Sequence, residues 1–392
     1  MKKIYLDYSA TTPLDPRVLE AMMPAFTATF GNASSVHSYG RDARAVLEHS
    51  RESVARLIGA RSDEIFFTSG GTEADNHAIK GLAAAGLKKG RRQVITSAVE
   101  HHAVLHPMES LRAAGFEVIQ LPVDRFGRVD PSDVRNALSQ PTAFVSIMLA
   151  NNETGTLNDV RAIGAIAREA GVPLHSDTVQ AIGKIGVNVA DLGVDVLAVS
   201  AHKFYGPKGI GAIYIRKGTQ IESFMEGGAQ ESNRRAGTEN VPLSVGFGKA
   251  AELAQEMMGQ SRIHISGLKN HLQDRLAREF SGLIFNGHPV ESLPHILSVS
   301  FDSSVEELDG DALIMGMDLR GVAVTSGSAC TSGSLQPSHV MLAMGRNEKT
   351  ARSTIRFSFG RNTTVEELDY AILALKDVVQ NARGGHGIGE RG

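Results

Sequence analysis

Short β-rich segments alternate with longer helix-like segments through the first two thirds of the chain. The β-rich segments are dominated by Val, Ile, Leu and Phe, whereas the segments between them place apolar residues at helical spacing. The β-rich segments are residues 64–68, 93–97, 117–121, 143–149, 173–176, 194–200 and 211–215, and the helix-like ones include 43–58, 72–85, 104–114 and 160–170. This alternation predicts an α/β fold with a mainly parallel seven-stranded sheet that is covered by helices.

The last third of the chain has a different pattern. A helical stretch over residues 241–269 leads into it, and β-rich runs follow as LIFNG and HILSVSF. A further strand is predicted at 354–360 and a helix at 365–382, after which residues 383–392 are glycine-rich and are predicted to form a disordered tail. The pattern therefore predicts a second, smaller domain with mixed helices and strands.

Composition narrows the class of protein. An apolar content of 42% with 21% charged residues is ordinary for a soluble globular enzyme, and a net charge of -3 argues against nucleic acid or an anionic membrane as partner. No apolar run approaches the length of a membrane span, and the start MKKIYLDYSATTP turns polar too soon for a signal peptide. A single cysteine makes no intrachain disulfide, so we expect a cytoplasmic protein.

That single cysteine, Cys330, lies in a stretch with no apolar periodicity. Residues 325–334 read TSGSACTSGS, whereas a free cysteine usually behaves as a small buried hydrophobe. Thiol chemistry needs an accessible thiolate, so an exposed Cys330 is a candidate nucleophile. The pattern alone also allows a cysteine that merely falls in a loop.

Polar residues that follow the β-rich segments supply further candidates, because sites in α/β folds form at strand ends. Lys203 follows the segment 194–200 in the run SAHKFYGPKG, and a lysine there is expected to have a lowered pKa that suits an amine nucleophile. The alternative is an exposed lysine in a turn. Asp177, in LHSDTVQ, is at a strand end, where an aspartate is often a helix cap or a partner for a hydroxyl group.

A third strand end carries the glycines of an anion site. Residues 68–76 read TSGGTEADN, which predicts a strand, a turn and a helix whose first N–H groups face an anion, with the Thr72 hydroxyl beside them. The same letters also allow a capping box between Thr72 and Asp75. The spacing matches neither a Walker loop nor a dinucleotide fingerprint.

These motifs, in this order, resemble the fold-type I enzymes that use pyridoxal phosphate. Together with Cys330 and the runs DYSATTP, EHHAV, NNETG and RRAGTEN they resemble the cysteine desulfurases of the NifS/IscS type, and the resemblance extends from Tyr5 to about Asp369. It implies a large cofactor-binding domain over residues 15–260 and a smaller α+β domain over residues 1–14 and 261–382. The cysteine loop, about 325–336, is expected to belong to the smaller domain.

The resemblance implies roles for individual residues around the cofactor. Lys203 is expected to bind the cofactor covalently and to move the Cα proton of the substrate, and Asp177 to pair with the pyridine nitrogen so that the ring acts as an electron sink. His101 is expected to stack on the ring and to serve as an acid or base. The other cofactor residues implied are Gln180 and Asn152 near the ring oxygen, and Gly71, Thr72, Ser200 and His202 at the phosphate.

The resemblance also implies a reaction and partners. Arg356 is expected to bind the carboxylate of L-cysteine with the help of Asn32, and Cys330 to accept the sulfur as a persulfide while L-alanine is released. Thr238 is expected to reach the phosphate held by a partner subunit, so a homodimer is implied. The sulfur acceptor of this family is typically an iron–sulfur scaffold or a sulfur-relay protein.

Three alternatives remain to be weighed. His102 and His106 share one helical face, as in some metal sites, but the segment lacks the HExxH pattern, and we expect no metal. An aminotransferase or another lyase on the same fold would need Lys203 and Asp177 but not Cys330. A non-catalytic scaffold could keep the same fold for partner binding, but the presence of Lys203, Asp177, His101 and Cys330 together argues against it.

Overall fold

The computed structural model describes residues 3–138, 140–327 and 336–385, the last three of these by backbone alone. The strands are β1 Ile4–Tyr5, β2 Ile65–Thr68, β3 Gln93–Ser97, β4 Glu117–Leu121, β5 Thr142–Ser146, β6 Leu174–Asp177, β7 Val196–Ser200, β8 Gly211–Ile215, β9 Leu283–Phe285, β10 Ile296–Phe301, β11 Val322–Ala323 and β12 Thr354–Ser358. The helices are α1 Pro16–Thr27, α2 Ser38–Ile58, α3 Gly71–Leu87, α4 His102–Ala113, α5 Pro131–Ala137, α6 Val160–Glu169, α7 Val189–Leu192, α8 Gln230–Asn233, α9 Val241–Glu279, α10 Gly310–Leu319, α11 His339–Ala343, α12 Glu348–Arg352 and α13 Val365–Gly385.

The predicted seven-stranded, mainly parallel sheet is confirmed. Its order is β2-β8-β7-β6-β5-β3-β4, and β8 alone among these strands runs antiparallel to its neighbours. Every residue of β5, β7 and β8 is buried, because helices cover both faces of the sheet. β5 ends at Ser146, short of the predicted Leu149, since the N–H of Met148 donates to the carboxylate of Glu100 instead of continuing the ladder with β3.

A second apolar core lies around a smaller sheet. β10 pairs antiparallel with β9 and β12, and β1 pairs with β11 in a separate two-stranded sheet. Ile4 and Leu6 pack in this core with residues from 265 to 379, so both ends of the described chain contribute to it. The division of the chain at residues 14/15 and 260/261 stays a prediction.

Helix α9 joins the two cores. Its 39 residues span about 58 Å at the rise of an α-helix, and it extends to Glu279 rather than to the predicted Lys269. Phe247, near its start, lies in the core of the large sheet, whereas Leu272 lies in the second core. The two cores are therefore tied together by one continuous element.

The final helix is also longer than predicted, since α13 runs to Gly385 rather than to Ala382. The rest of the predicted tail, residues 386–392, lies outside the described residues, as do residues 328–335 with Cys330. None of the helices in the described part of the chain has the length and apolar character that a membrane crossing needs.

Candidate active site

One cavity of about 300 Å³ collects ten of the residues that were expected to form the site. It lies where β2, β6 and β7 end, at the edge of the sheet where ligands of open α/β folds bind. The expected residues that line it are Gly71, Thr72, His101, Asn152, Asp177, Gln180, Ser200, His202, Lys203 and Arg356. A volume of this size is at the lower end of the range for small-molecule sites.

Lys203 stands in a 3₁₀ turn directly after β7, and its amine is held by backbone carbonyls. Nζ donates to the carbonyl oxygen of Ser9 at 2.6 Å and to that of Ala10 at 3.0 Å. Burial, with the positive charge of Arg356 as the next cause, lowers the pKa of Lys203 to about 8. An amine that loses its proton this easily is suited to act as a nucleophile.

Asp177 ends β6 and faces the same cavity. Its Oδ1 accepts a hydrogen bond from the N–H of Val179 at 2.9 Å, which fixes the direction of the carboxylate. Burial raises the pKa of Asp177, while His101 and Lys203 oppose that shift. A positively charged group beside a buried carboxylate stabilises its ionised form. Gln180, three residues further along the chain, lines the cavity and donates from Nε2 to the carbonyl of Ser9 at 3.0 Å.

The start of α3 has the features of an anion site rather than of a capping box. Gly70 precedes the helix without any side-chain cap, so the first N–H groups of α3 have no partner within the helix. At Gly71 a Cβ would meet the Val179 side chain at 2.8 Å, so only glycine fits there. The alternative of a capping box between Thr72 and Asp75 does not hold, because α3 begins at Gly71 with Gly70 as its N-cap and Thr72 lies inside the helix.

Two more residues border this anion site. Ser200, at the end of β7, is buried and lines the cavity beside Gly71 and Thr72. His202 bonds through Nδ1 to the hydroxyl of Thr11 at 3.1 Å, and burial lowers its pKa to about 4, so the ring is neutral near pH 7. Both side chains can hydrogen-bond a phosphate without adding charge.

His101 is held by the helix that it precedes. Its Nδ1 accepts from the N–H of Ala103 at 3.1 Å and so caps α4, which leaves the ring proton on Nε2. Desolvation lowers the pKa of His101, with Asp177 opposing the shift. The neutral ring can therefore take up or give back a proton at Nε2.

Arg356 projects into the cavity from β12, which belongs to the smaller sheet. Its Nη2 lies 2.9 Å from Oδ1 of Asp7, and its Nη1 donates to the carbonyl of Asn152 at 2.7 Å. The salt bridge with Asp7 fixes the position of the guanidinium. Nε is buried without a partner in the described structure.

Two expected site residues, Asn32 and Thr238, are not among the described residues that line the cavity. Asn32 is exposed, and its Oδ1 accepts from the N–H of Ser34 at 2.9 Å. Thr238 is exposed as well, and Cys330 lies outside the described residues. The neighbouring Arg235 pairs with Glu73 at 2.8 Å, so it is neither a solvated charge nor a phosphate ligand in this single chain.

The lining residues to which the sequence analysis gave no role in the site include Asp7, Ser9, Ala10 and Asp75. Asp75 is fully buried, and its Oδ1 lies 3.4 Å from Nε2 of His175, whose Nδ1 bonds the Ser146 hydroxyl at 2.9 Å. Burial raises the pKa of Asp75, with Asp177 as the next cause. His175 precedes Asp177 by two residues on β6 and so shares its face, which is a signal that could have pointed to this pair.

The histidine pair considered as a metal site is part of a larger ring cluster. His102 stacks on His106 with ring centroids 4.9 Å apart, and it meets the ring of His339 at the same distance. Within the described residues no group of three or more His, Cys, Asp or Glu side chains has the arrangement that a metal ion needs.

The lining of the cavity fits pyridoxal phosphate. Bare N–H groups at the start of α3, with Ser200 and His202, suit the phosphate; Asp177 suits a pyridinium nitrogen; and Lys203 offers an amine. The Ser9 hydroxyl is buried with no partner among the described residues, so the cavity also holds unused hydrogen-bonding capacity.

Comparisons with known proteins agree with this geometry. Residues 4–371 match the family model described as aminotransferase class-V. A protein named cysteine desulfurase IscS from Dictyoglomus turgidum is 47% identical over 382 residues, which are 97% of this chain and 96% of that protein.

Solved structures give the same result. A structure described as a NifS-like protein superposes with a TM-score of 0.90 at 37% identity, covering 97% of this chain and 100% of that one. A structure described as SspA in complex with cysteine has a TM-score of 0.80 at 34% identity, covering 93% of this chain and 100% of that one. The chain therefore belongs to the class-V aminotransferase family and, within it, to the cysteine desulfurases of the NifS/IscS type.

Proposed function

We propose that this protein uses pyridoxal phosphate to convert L-cysteine to L-alanine and transfers the sulfur to Cys330. The observation that carries the proposal is that Lys203, Asp177 and Arg356 face one cavity. They provide an amine for the cofactor, a carboxylate for its ring and a guanidinium for an amino-acid carboxylate. The relatives named as cysteine desulfurases over nearly their whole length support the choice of substrate.

When bound, the cofactor supplies an electron sink for negative charge that develops at the substrate Cα. Asp177 would keep the ring nitrogen protonated, and Gly71, Thr72, Ser200 and His202 would hold the phosphate. Gln180 and Asn152 also line the cavity and would bind the ring oxygen. Each of these side chains binds or orients, and none of them needs to move during the reaction.

Three side chains would bind the substrate or exchange protons with it. Arg356 would bind the substrate carboxylate through its guanidinium, and so fix the direction of the Cα–H bond. Lys203, with its pKa lowered to about 8, would take the Cα proton on Nζ and return it later. His101 would exchange a proton at Nε2 with the substrate thiol or amine.

Cys330 would then receive the sulfur. Its thiolate attacks the sulfur of the substrate, an S–S bond forms as the Cβ–S bond breaks, and the electron pair of the broken bond stays on the substrate carbons, which take up protons to become alanine. Gly327, which lines the cavity, precedes Cys330 by three residues, a length of chain that spans at most about 11 Å. An acceptor protein would remove the sulfur from the persulfide, and an iron–sulfur scaffold or sulfur-relay protein is proposed.

A homodimer is proposed as well. Leu19, Met23, Phe26 and Phe30 follow each other at helical spacing along and just beyond α1, and each is between 49% and 66% exposed. A contiguous apolar face of this kind is typical of an association surface. Thr238 is exposed, as a residue that reaches a partner's phosphate must be in a single chain. Light scattering is expected to give twice the chain mass of 41.8 kDa.

The cytoplasmic location stays a prediction.

The product from L-cysteine tests the reaction. Purified holoenzyme with a thiol reductant is expected to release L-alanine and sulfide in equal amounts, because one C–S bond is broken for each alanine formed. An aminotransferase on the same fold would instead yield a 2-oxo acid, and a scaffold protein would yield no product. Either of those outcomes, measured by amino-acid analysis, would contradict the proposal.

Replacing Arg356 by lysine is expected to weaken substrate binding. Lysine keeps the charge but loses the planar fork, so we expect the KM for L-cysteine to rise by about 10- to 100-fold with a smaller change in kcat. Steady-state kinetics measure both values. Arg352→Lys, an exposed arginine four residues away, is the matched control. An unchanged KM in Arg356→Lys would remove Arg356 from substrate binding.

The attachment of the cofactor to apo-protein is expected to depend on pH. Only the neutral amine of Lys203 is nucleophilic, so the attachment rate should rise with pH and reach its midpoint at about 8, where burial and Arg356 place the pKa. Arg356→Gln removes the second of these causes and should move the midpoint upwards. Stopped-flow absorbance measures the rate, and a midpoint near 10.5, the ordinary lysine value, would contradict this account.

A further inference from the structure

A second, smaller cavity lies at the junction of the two cores and shares no lining residue with the active site. Its volume is about 30 Å³, and its polar lining consists of Lys184, Tyr205, Ser261, Arg262, His295 and Arg361. Apolar side chains of Phe204, Leu253 and Ile265 complete its wall. A space of this size holds one or two water molecules or one monatomic ion, and it is too small for sulfate or phosphate.

Two polar groups in this wall have no partner in the described structure. His295 is fully buried, and both of its ring nitrogens lack a hydrogen bond to any described residue. Lys184 is only 6% exposed, and its ammonium makes no hydrogen bond to the described residues; a recorded contact is the Tyr205 ring, 5.0 Å from Nζ. Buried polar groups in proteins are rarely left in this state, so a bound species is expected between them.

The balance of charge decides the sign of that species. Among the described residues that line the cavity there is no aspartate or glutamate. Arg361 pairs with Asp15, a carboxylate that Arg17 also contacts, and its guanidinium lies 4.0 Å from the centre of the Tyr205 ring. Lys184 has no such carboxylate, and an unpaired buried ammonium is costly.

Burial and Arg361 lower the pKa of Lys184 to about 7, which agrees with a cation that lacks a counter-charge. Burial and the surrounding cations, Lys184 first among them, also lower the pKa of His295 well below its usual range. The imidazole is therefore neutral at pH 7, and one of its nitrogens carries a proton that it can donate. A water molecule would satisfy these donors but would leave the charge of Lys184 unbalanced.

We propose that this cavity binds a halide ion, chloride in the cell, between the Lys184 ammonium and the N–H of His295. The ion would act as the missing counter-charge at the contact of the two cores. Lys184 comes from the large-sheet side of this contact, and His295 directly precedes β10 of the smaller sheet. Chloride would therefore stabilise the docking of the two cores, and this role is independent of the cysteine desulfurase reaction.

Bromide diffraction tests the site directly. Crystals of the holoenzyme grown in sodium bromide are expected to give an anomalous difference peak inside the cavity, within contact distance of Lys184 Nζ and His295. Crystals grown in sodium gluconate at equal ionic strength supply the control, since gluconate is too large to enter. Absence of the bromide peak from well-ordered crystals would overturn the proposal, and it would do so even if every variant failed to fold.

Thermal unfolding of the holoenzyme gives a second test. Chloride at ten times its Kd stabilises the native state by about 1.4 kcal/mol, so the Tm is expected to rise by about 2 °C over gluconate at equal ionic strength. Lys184→Met should lose this rise, whereas Lys208→Met, an exposed lysine, should keep it. In gluconate Lys184→Met is expected to melt no lower than the wild type, because an uncompensated charge has been removed. An equal chloride effect in the wild type and Lys184→Met would overturn the proposal.

Discussion

Replacing Lys203 by alanine is expected to abolish both the absorbance band of the lysine-bound cofactor and the formation of L-alanine. The side chain has two tasks in one place, since its amine binds the cofactor and its Nζ carries the substrate proton. No other lysine lines the cavity within the described residues, so no neighbouring amine takes over. Loss of a positioned general base alone costs about 10²- to 10⁴-fold in rate, and loss of the covalent attachment adds to it. We therefore expect a fall in kcat of more than about 10³-fold.

The spectrum and the rate are measured on the same purified protein. Lys208→Ala removes an exposed lysine of the same loop and is expected to leave both values unchanged. Circular dichroism is expected to show an intact fold in Lys203→Ala. The amine of Lys203 donates hydrogen bonds to the carbonyls of Ser9 and Ala10, so its loss leaves no buried carboxylate without a hydrogen-bond partner. A normal band of lysine-bound cofactor in Lys203→Ala would remove Lys203 from this role.

Replacing Cys330 by serine is expected to leave the cofactor in place but to stop sulfur transfer. A serine hydroxyl is a far weaker nucleophile than a thiolate at neutral pH, so the attack on the substrate sulfur should slow by more than about 10²-fold. The chain has one cysteine, so no second thiol rescues the variant. L-cysteine should still alter the cofactor spectrum of Cys330→Ser, because Lys203 and Arg356 remain.

Mass spectrometry tests whether the sulfur is transferred to Cys330. After L-cysteine is added without reductant, the wild type should gain the mass of one sulfur atom on the peptide that contains Cys330, and Cys330→Ser should not. Ser328→Ala, in the same stretch, is the matched control and should still gain the sulfur. Sulfide release from Cys330→Ser at the rate of the wild type would show that sulfur leaves by another route.

Sequence reasoning was most successful where a side chain follows a strand. Asp177 and Lys203 stand at the ends of β6 and β7, and the strands were visible as apolar runs, so their meeting at one edge of the sheet followed from parallel topology. The position of Arg356 was harder to predict from the sequence, because it faces the cavity from β12, which belongs to a different sheet. It was proposed through a family resemblance rather than through the pattern of the chain.

The residues that sequence reasoning missed or could not place were hidden for different physical reasons. Ser9 and Ala10 hold the Lys203 amine through backbone carbonyls, which every residue possesses, so no side-chain pattern marks them. Asp75 had a plausible local explanation as a cap, and only the tertiary packing of α3 against β6 brings it to His175. Asn32 and Thr238 are exposed in the single chain, and a role for them depends on a second subunit that one sequence does not locate.

The N-terminal segment has a consequence for how the protein is made. Ile4 pairs with Val322, Asp7 binds Arg356, and the carbonyl of Ser9 holds Lys203. A ribosome that adds about 5 to 20 residues per second needs on the order of 20 to 70 s to reach Arg356 after the first residues have emerged. Ile4 and Asp7 lack these partners throughout that time, whereas Ser9 can meet Lys203 earlier. The side of the site that would bind the substrate carboxylate is therefore completed last, when β12 is in place.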